Sequence, residues 1–133
     1  DYNVLGSRYK NLDNLNKDSV LNYYLKGTLP PTYRIVRNAR FPFGFNQSQK
    51  RATEEALTNH ISVIEGPPGT GKTQTILNII SNLVMNNETV AVVSNNNSAI
   101  QNVYDKLKNN NLDFIVAFLG RDSNKTKFIE NQK

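Results

Sequence analysis

The chain has 133 residues, a formal net charge of +5, 38% apolar residues and no cysteine. That length suits one domain with a real core, and a cysteine-free chain excludes disulfides, thiolate zinc sites and cysteine nucleophiles. The charge suits an anionic partner such as nucleic acid and equally a solvated basic surface, because the basic residues are spread along the chain rather than clustered.

Residues 1–40 differ in pattern from the rest and read as an accessory segment without a motif. Asp18 is placed to cap a short helix with Val20, Leu21, Tyr24 and Leu25 on one face, ended by Gly27 and Pro30-Pro31. Residues 33–36 read as a short extended piece and 41–44 as a connector. From Asn46 the pattern is α/β. Asn46 followed by Gln49 marks a helix start, with Ala52, Ala56 and Leu57 inward. Residues 61–64 are short and β-branched, which predicts a strand. A glycine-rich turn follows, then Ile76, Leu77, Ile79, Ile80, Leu83 and Val84 at helical spacing. Asn86-Asn87 predicts a turn and residues 90–93 a buried parallel strand. Ser98 and Gln101 form a capping-box pair for a helix whose apolar face is Ala99, Ile100, Val103, Tyr104 and Leu107. Asn109 to Asn111 ends it, and residues 114–119 predict a third strand. Strand–helix–strand–helix–strand predicts an α/β fold with a parallel sheet and right-handed crossovers.

The turn Gly66-Pro67-Pro68-Gly69-Thr70-Gly71-Lys72-Thr73 matches G-x-x-x-x-G-K-[ST] at every fixed position. Glycines let a backbone wrap closely around a polyphosphate, successive N–H groups form a nest, and the following helix adds roughly half a positive charge at its start. Lys72 is expected to reach the β- and γ-phosphates of ATP, and the Thr73 hydroxyl to ligate Mg²⁺. Gln74, next on the helix, completes the set of expected nucleotide contacts. Glu65 is expected to point away from the phosphates.

Two flanking stretches narrow the family. Phe45-Asn46-Gln47-Ser48-Gln49 with Ala52 resembles the glutamine motif of superfamily 1 helicases. Carried over, Gln49 pairs its amide with the adenine edge, and the same residue also completes a capping box with Asn46. The stretch from Val90 through Ser94-Asn95-Asn96-Asn97-Ser98 to Val103 is similar to motif Ia of that superfamily, which implies that Ser94, Asn95, Asn97 and Ser98 touch the backbone of single-stranded DNA or RNA. Taken alone, the same stretch is an ordinary polar loop capped by Ser98. The resemblance, to the branch of RNA-surveillance and immunoglobulin-mu-binding helicases, covers about residues 41–130. It implies that residues 41–133 are the N-terminal part of a RecA-like nucleoside-triphosphatase domain.

No Asp-Glu pair follows an apolar strand, and 133 residues hold no second domain. The chain is therefore expected to be part of a longer ATP-dependent helicase, gripping nucleotide without hydrolysing it by itself. An incomplete sheet would leave an open edge at residues 61–64 and invite self-association. A remodelling ATPase of the AAA+ class and a non-enzymatic nucleotide-binding scaffold are the alternatives. No apolar run approaches the ~18 residues that cross a bilayer, and the first residues show no signal-peptide pattern, so a cytoplasmic protein is the expectation.

Overall fold

The computed structural model describes residues 15–31, 38–119 and 122–130. Helix α1, Val20–Leu25, is capped by Ser19, whose Oγ accepts from Asn22 N at 3.2 Å. Asp18 was the expected cap, but its own N–H donates to Asn16 Oδ1 instead. Gly27 follows the helix at φ +64°, the left-handed turn that favours glycine. The extended piece expected at 33–36 lies outside the described residues.

Helix α2, Gln47–Thr58, opens with the full capping box. Asn46 Oδ1 accepts from Gln49 N at 2.9 Å, and Gln49 Oε1 accepts from Asn46 N at 2.8 Å. Its buried stripe is Gln49, Thr53 and Leu57, one residue per turn. Helix α3, Lys72–Met85, packs its Thr75, Leu77, Asn78, Ile80 and Asn82 inward. It stops at the expected turn, where Asn87 takes φ +60°. Helix α4, Asn97–Lys108, buries Val103 and Leu107. Leu77, Ile80, Val103 and Leu107 make the core between α3 and α4, with Phe43, Ile76, Leu112 and Val116 packed around it. Each such aliphatic side chain contributes about 2 kcal/mol by leaving water. A short 3₁₀ turn, Asp113–Ile115, and helix α5, Asp122–Glu130, are the last elements of the described residues.

A row of carboxamides on α3 joins it to the segment before α2. Asn82 accepts from Arg40 N at 2.8 Å and donates to Arg40 O at 2.7 Å. One turn earlier, Asn78 accepts from Phe43 N at 3.2 Å and donates to Gly44 O at 2.8 Å. One turn earlier again, Gln74 Nε2 donates to the Phe43 carbonyl. A carboxamide carries one donor end and one acceptor end, as a peptide unit does. It therefore satisfies a neighbouring backbone the way an adjacent strand would.

The expected parallel sheet is absent, because among the described residues no strand forms. Residues 61–64 and 90–93 run as irregular chain, and 114–119 begin in the 3₁₀ turn rather than as a strand. A β-branched sequence suits a strand, but a strand exists only when its N–H and C=O groups pair with a neighbour. Here Val63 is 78% and Val93 87% exposed. Where a sheet was expected to pack, a cleft of about 1050 Å³ opens between α3, α4 and residues 89–94 and 115–119. The open sheet edge expected at residues 61–64 is absent along with the sheet.

Candidate nucleotide-binding site

The glycine-rich turn connects residues 61–65 to α3 and is exposed from Gly66 through Thr70. Gly69 and Gly71 take φ +86° and +82°, which side-chain-bearing residues rarely adopt. At Gly66 a Cβ would lie 2.6 Å from Thr70 Oγ1 and would push that hydroxyl off its hydrogen bond to Pro67 O, now 2.9 Å. The Lys72 side chain turns back into the loop. Its ammonium donates to Gly66 O at 2.5 Å and Pro67 O at 2.9 Å. Two of the three ammonium hydrogens are thus used and one remains for an anion. Helix α3 begins at Gly71 with no side-chain cap, so the first-turn N–H groups face the loop as unmet donors. Loop, ammonium and helix start together form an anion cradle.

Thr73 is half-buried on the first turn, and among the described residues no hydrogen bond engages its hydroxyl. No group of three His, Asp or Glu side chains able to hold a metal occurs among the described residues. A magnesium ion here would take its ligands from phosphates and water with Thr73 as one protein donor, which is how Mg²⁺ is ordinarily held. Glu65 is exposed just ahead of the loop.

Gln49 lies 8% exposed beneath the loop. Its Nε2 donates to Gln74 Oε1 at 3.0 Å and Thr70 O at 3.2 Å, with Gly71 O at 3.5 Å. Its Nε2 lies where a Cβ on residue 71 would project, so a side chain there would displace the Gln49 amide as well as strain the backbone. Gln74, expected to touch nucleotide, is held between Gln49 and Phe43.

Ser94, Asn95, Asn97 and Ser98 come together, all exposed, at the start of α4. The cap is Asn96 and not Ser98: Asn96 Oδ1 accepts from Ser98 N at 3.0 Å and from Ser98 Oγ at 2.7 Å. Gln101, the expected capping-box partner, donates instead to Asp105 at 2.8 Å. Ser94 Oγ accepts from Asn96 N at 3.0 Å.

A family model described as an AAA domain matches residues 44–127, which take in the Asn46–Gln49 cap, the phosphate loop and the polar loop before α4. The chain belongs to this family, on its superfamily 1 helicase branch. It is similar to the DNA polymerase alpha-associated DNA helicase A of Schizosaccharomyces pombe, 38% identical over 71 residues, 53% of this chain and 11% of that protein. It is 49% identical over 59 residues to a Mycoplasma genitalium protein named uncharacterized ATP-dependent helicase MG140, 44% of this chain and 5% of that one. The Drosophila melanogaster regulator of nonsense transcripts 1 homolog is 39% identical over 71 residues, 53% of this chain and 6% of its own length. The chain thus spans about a tenth or less of the length of these curated relatives. No solved structure matches.

The sequence reading of this helicase domain missed Asn78 and Asn82, and missed that Gln74 joins Gln49 to Phe43. The signal was present: Gln74, Asn78 and Asn82 recur at a spacing of four, one above the other on a single helix face.

Proposed function

We propose that the chain is the ATP-binding part of an ATP-dependent DNA or RNA helicase or translocase. Residues 1–40 serve as an accessory segment and 41–133 as the N-terminal part of its nucleoside-triphosphatase domain. The observation that carries this reading is the cradle itself: glycines at positive φ, an uncapped helix start, and Lys72 folded into the same loop. In it Gly66, Pro67, Pro68, Gly69, Thr70, Gly71 and Lys72 wrap the phosphates, Thr73 ligates Mg²⁺, and Gln49 faces the adenine. With no Asp-Glu pair after an apolar strand, these 133 residues are proposed to bind ATP weakly at best and not to turn it over at a useful rate. The names of the relatives favour a helicase over a remodelling ATPase or a passive scaffold.

Ser94, Asn95, Asn97 and Ser98 are proposed to hold the backbone of single-stranded nucleic acid, through hydroxyls, amides and a helix start that take phosphates without reading sequence. Binding of that kind weakens steadily as salt rises. No described helix is long and apolar enough to cross a membrane. A cytoplasmic setting accords with this reading, since a cysteine-free chain suits a reducing compartment. Self-association is proposed to run through the exposed Val63 and Val93, since no sheet edge forms among the described residues.

The test is calorimetric titration of ATP into the protein and into Lys72→Ala. Removing the ammonium deletes charge-assisted hydrogen bonds and is expected to weaken binding by about tenfold to a hundredfold. Equal affinity in both proteins would reject the cradle as the nucleotide site.

A further inference from the structure

Phe45, directly ahead of the α2 capping box, is an aromatic residue with 52% of its surface exposed. Residues 41–44 before it make a tight turn, closed by Gly44 N–H donating to Phe41 O at 3.0 Å with Gly44 at φ +73°. The turn sends Phe43 against the core and brings the rings of Phe41 and Phe45 together, their centroids 4.4 Å apart and their planes 46° apart. Phe41 is half-buried, so Phe45 rests on a supported ring while its own outer side faces water. An apolar residue just before a helix cap ordinarily packs on the fourth residue of the helix. Here that residue is Lys50, whose ammonium lies 3.9 Å from Glu54. Both chain neighbours of Phe45 adjoin the phosphate loop. A Cβ on residue 44 would lie 3.2 Å from Gln74 Nε2, one residue past the loop, and Asn46 N is joined to Thr70 O by the single Gln49 carboxamide.

We propose that Phe45, backed by Phe41, is the platform on which the base of the bound nucleotide stacks. The inference rests on the reading of the loop as a triphosphate site, and it adds a contact for the other end of the same ligand. With its β- and γ-phosphates in the loop, a nucleotide carries its base beyond the α-phosphate and ribose. That is far enough to pass the one carboxamide that separates Asn46 from Thr70. A nucleobase and a phenyl ring are both flat with apolar faces, so stacking takes both from water and needs no hydrogen bond. Such a contact tolerates any base, because every base has a π-face. It also gives an apolar partner to a ring that the turn and the capping box hold in water.

The experiment titrates ATP, GTP, tripolyphosphate and a short oligothymidylate into the full chain, Phe45→Ala, Phe45→Trp and Lys72→Ala. Phe45→Ala is expected to bind ATP and GTP about tenfold more weakly than the wild-type protein, and tripolyphosphate within about twofold of it. The chain holds no tryptophan, so Phe45→Trp reports from this position alone. Its fluorescence is expected to fall as ATP binds and to stay level with tripolyphosphate. Equal ATP affinity in Phe45→Ala and the wild-type protein overturns the proposal. So does a Phe45→Ala that loses tripolyphosphate as much as ATP, which marks a ring that only holds the fold. A tryptophan that ATP leaves unquenched, or that tripolyphosphate quenches equally, overturns it too, and this reading stands even where Phe45→Ala does not fold. A quench by oligothymidylate with none by ATP gives the ring to nucleic acid instead. Binding of ATP and tripolyphosphate that needs Lys72 but ignores Phe45 leaves the phosphate-loop reading intact and removes this inference alone. Binding of neither ligand removes both.

Discussion

On one side of α3, Gln74, Asn78 and Asn82 bond the backbone of Arg40, Phe43 and Gly44 directly; on the other, α3 meets α4 through Leu77, Ile80, Val103 and Leu107. The first side is hydrogen-bonded along three helical turns, with Asn78 0% and Gln49 8% exposed. The second side stays open, with a cleft beside the core and Val93 facing out. Both sides hold irregular chain against the same helix. The difference is where the partners for that chain's N–H and C=O groups come from. Residues 40–44 find theirs in side chains of α3, whereas residues 90–93 have no such row of carboxamides opposite them.

Asn78→Leu attacks the hydrogen-bonded side most directly. It removes the partners of Phe43 N–H and Gly44 C=O in two part-buried hydrogen bonds and is expected to cost about 2 kcal/mol, seen as a lowered melting temperature and faster hydrogen exchange at Phe43. A loss below about 1 kcal/mol would mean that the carboxamide row adds little beyond packing. A smaller effect separates the two candidate caps of α4. Asn96→Ala is expected to cost about 1 kcal/mol and Ser98→Ala a few tenths, and the reverse order would restore Ser98 as the cap. The smallest effect is on the open side. Val93→Asp should change stability by less than about 0.5 kcal/mol, since the residue packs against little. It should also reduce any concentration-dependent association in sedimentation velocity, and an unaltered profile would exclude Val93 from such a contact.

The helix starts and stops near α2 and α3 were legible because they are local. Asn46 and Gln49 lie three residues apart and satisfy each other, and Asn87 needs only its own positive φ to end α3. The caps of α1 and α4 were misplaced by one or two residues because Asp, Ser and Asn all cap well, and geometry chooses among neighbours. The phosphate loop was readable for the same local reason: eight consecutive residues carry its glycines, lysine and hydroxyl. Gln49 was readable as a helix-capping residue, but its hold on Gly71 and Gln74 spans more than twenty residues and leaves no local pattern.

From its residues alone, the protein is committed to a glycine-rich loop at a helix start, with Lys72 and Thr73 beside it, because adjacent residues suffice to build one. Tertiary structure alone decided that residues 61–64, 90–93 and 114–119 form no sheet, since a strand is defined by a partner and not by its own composition. It alone also decided that carboxamides on α3 would take a strand's place against residues 40–44, because those hydrogen bonds exist only once helix and segment have met.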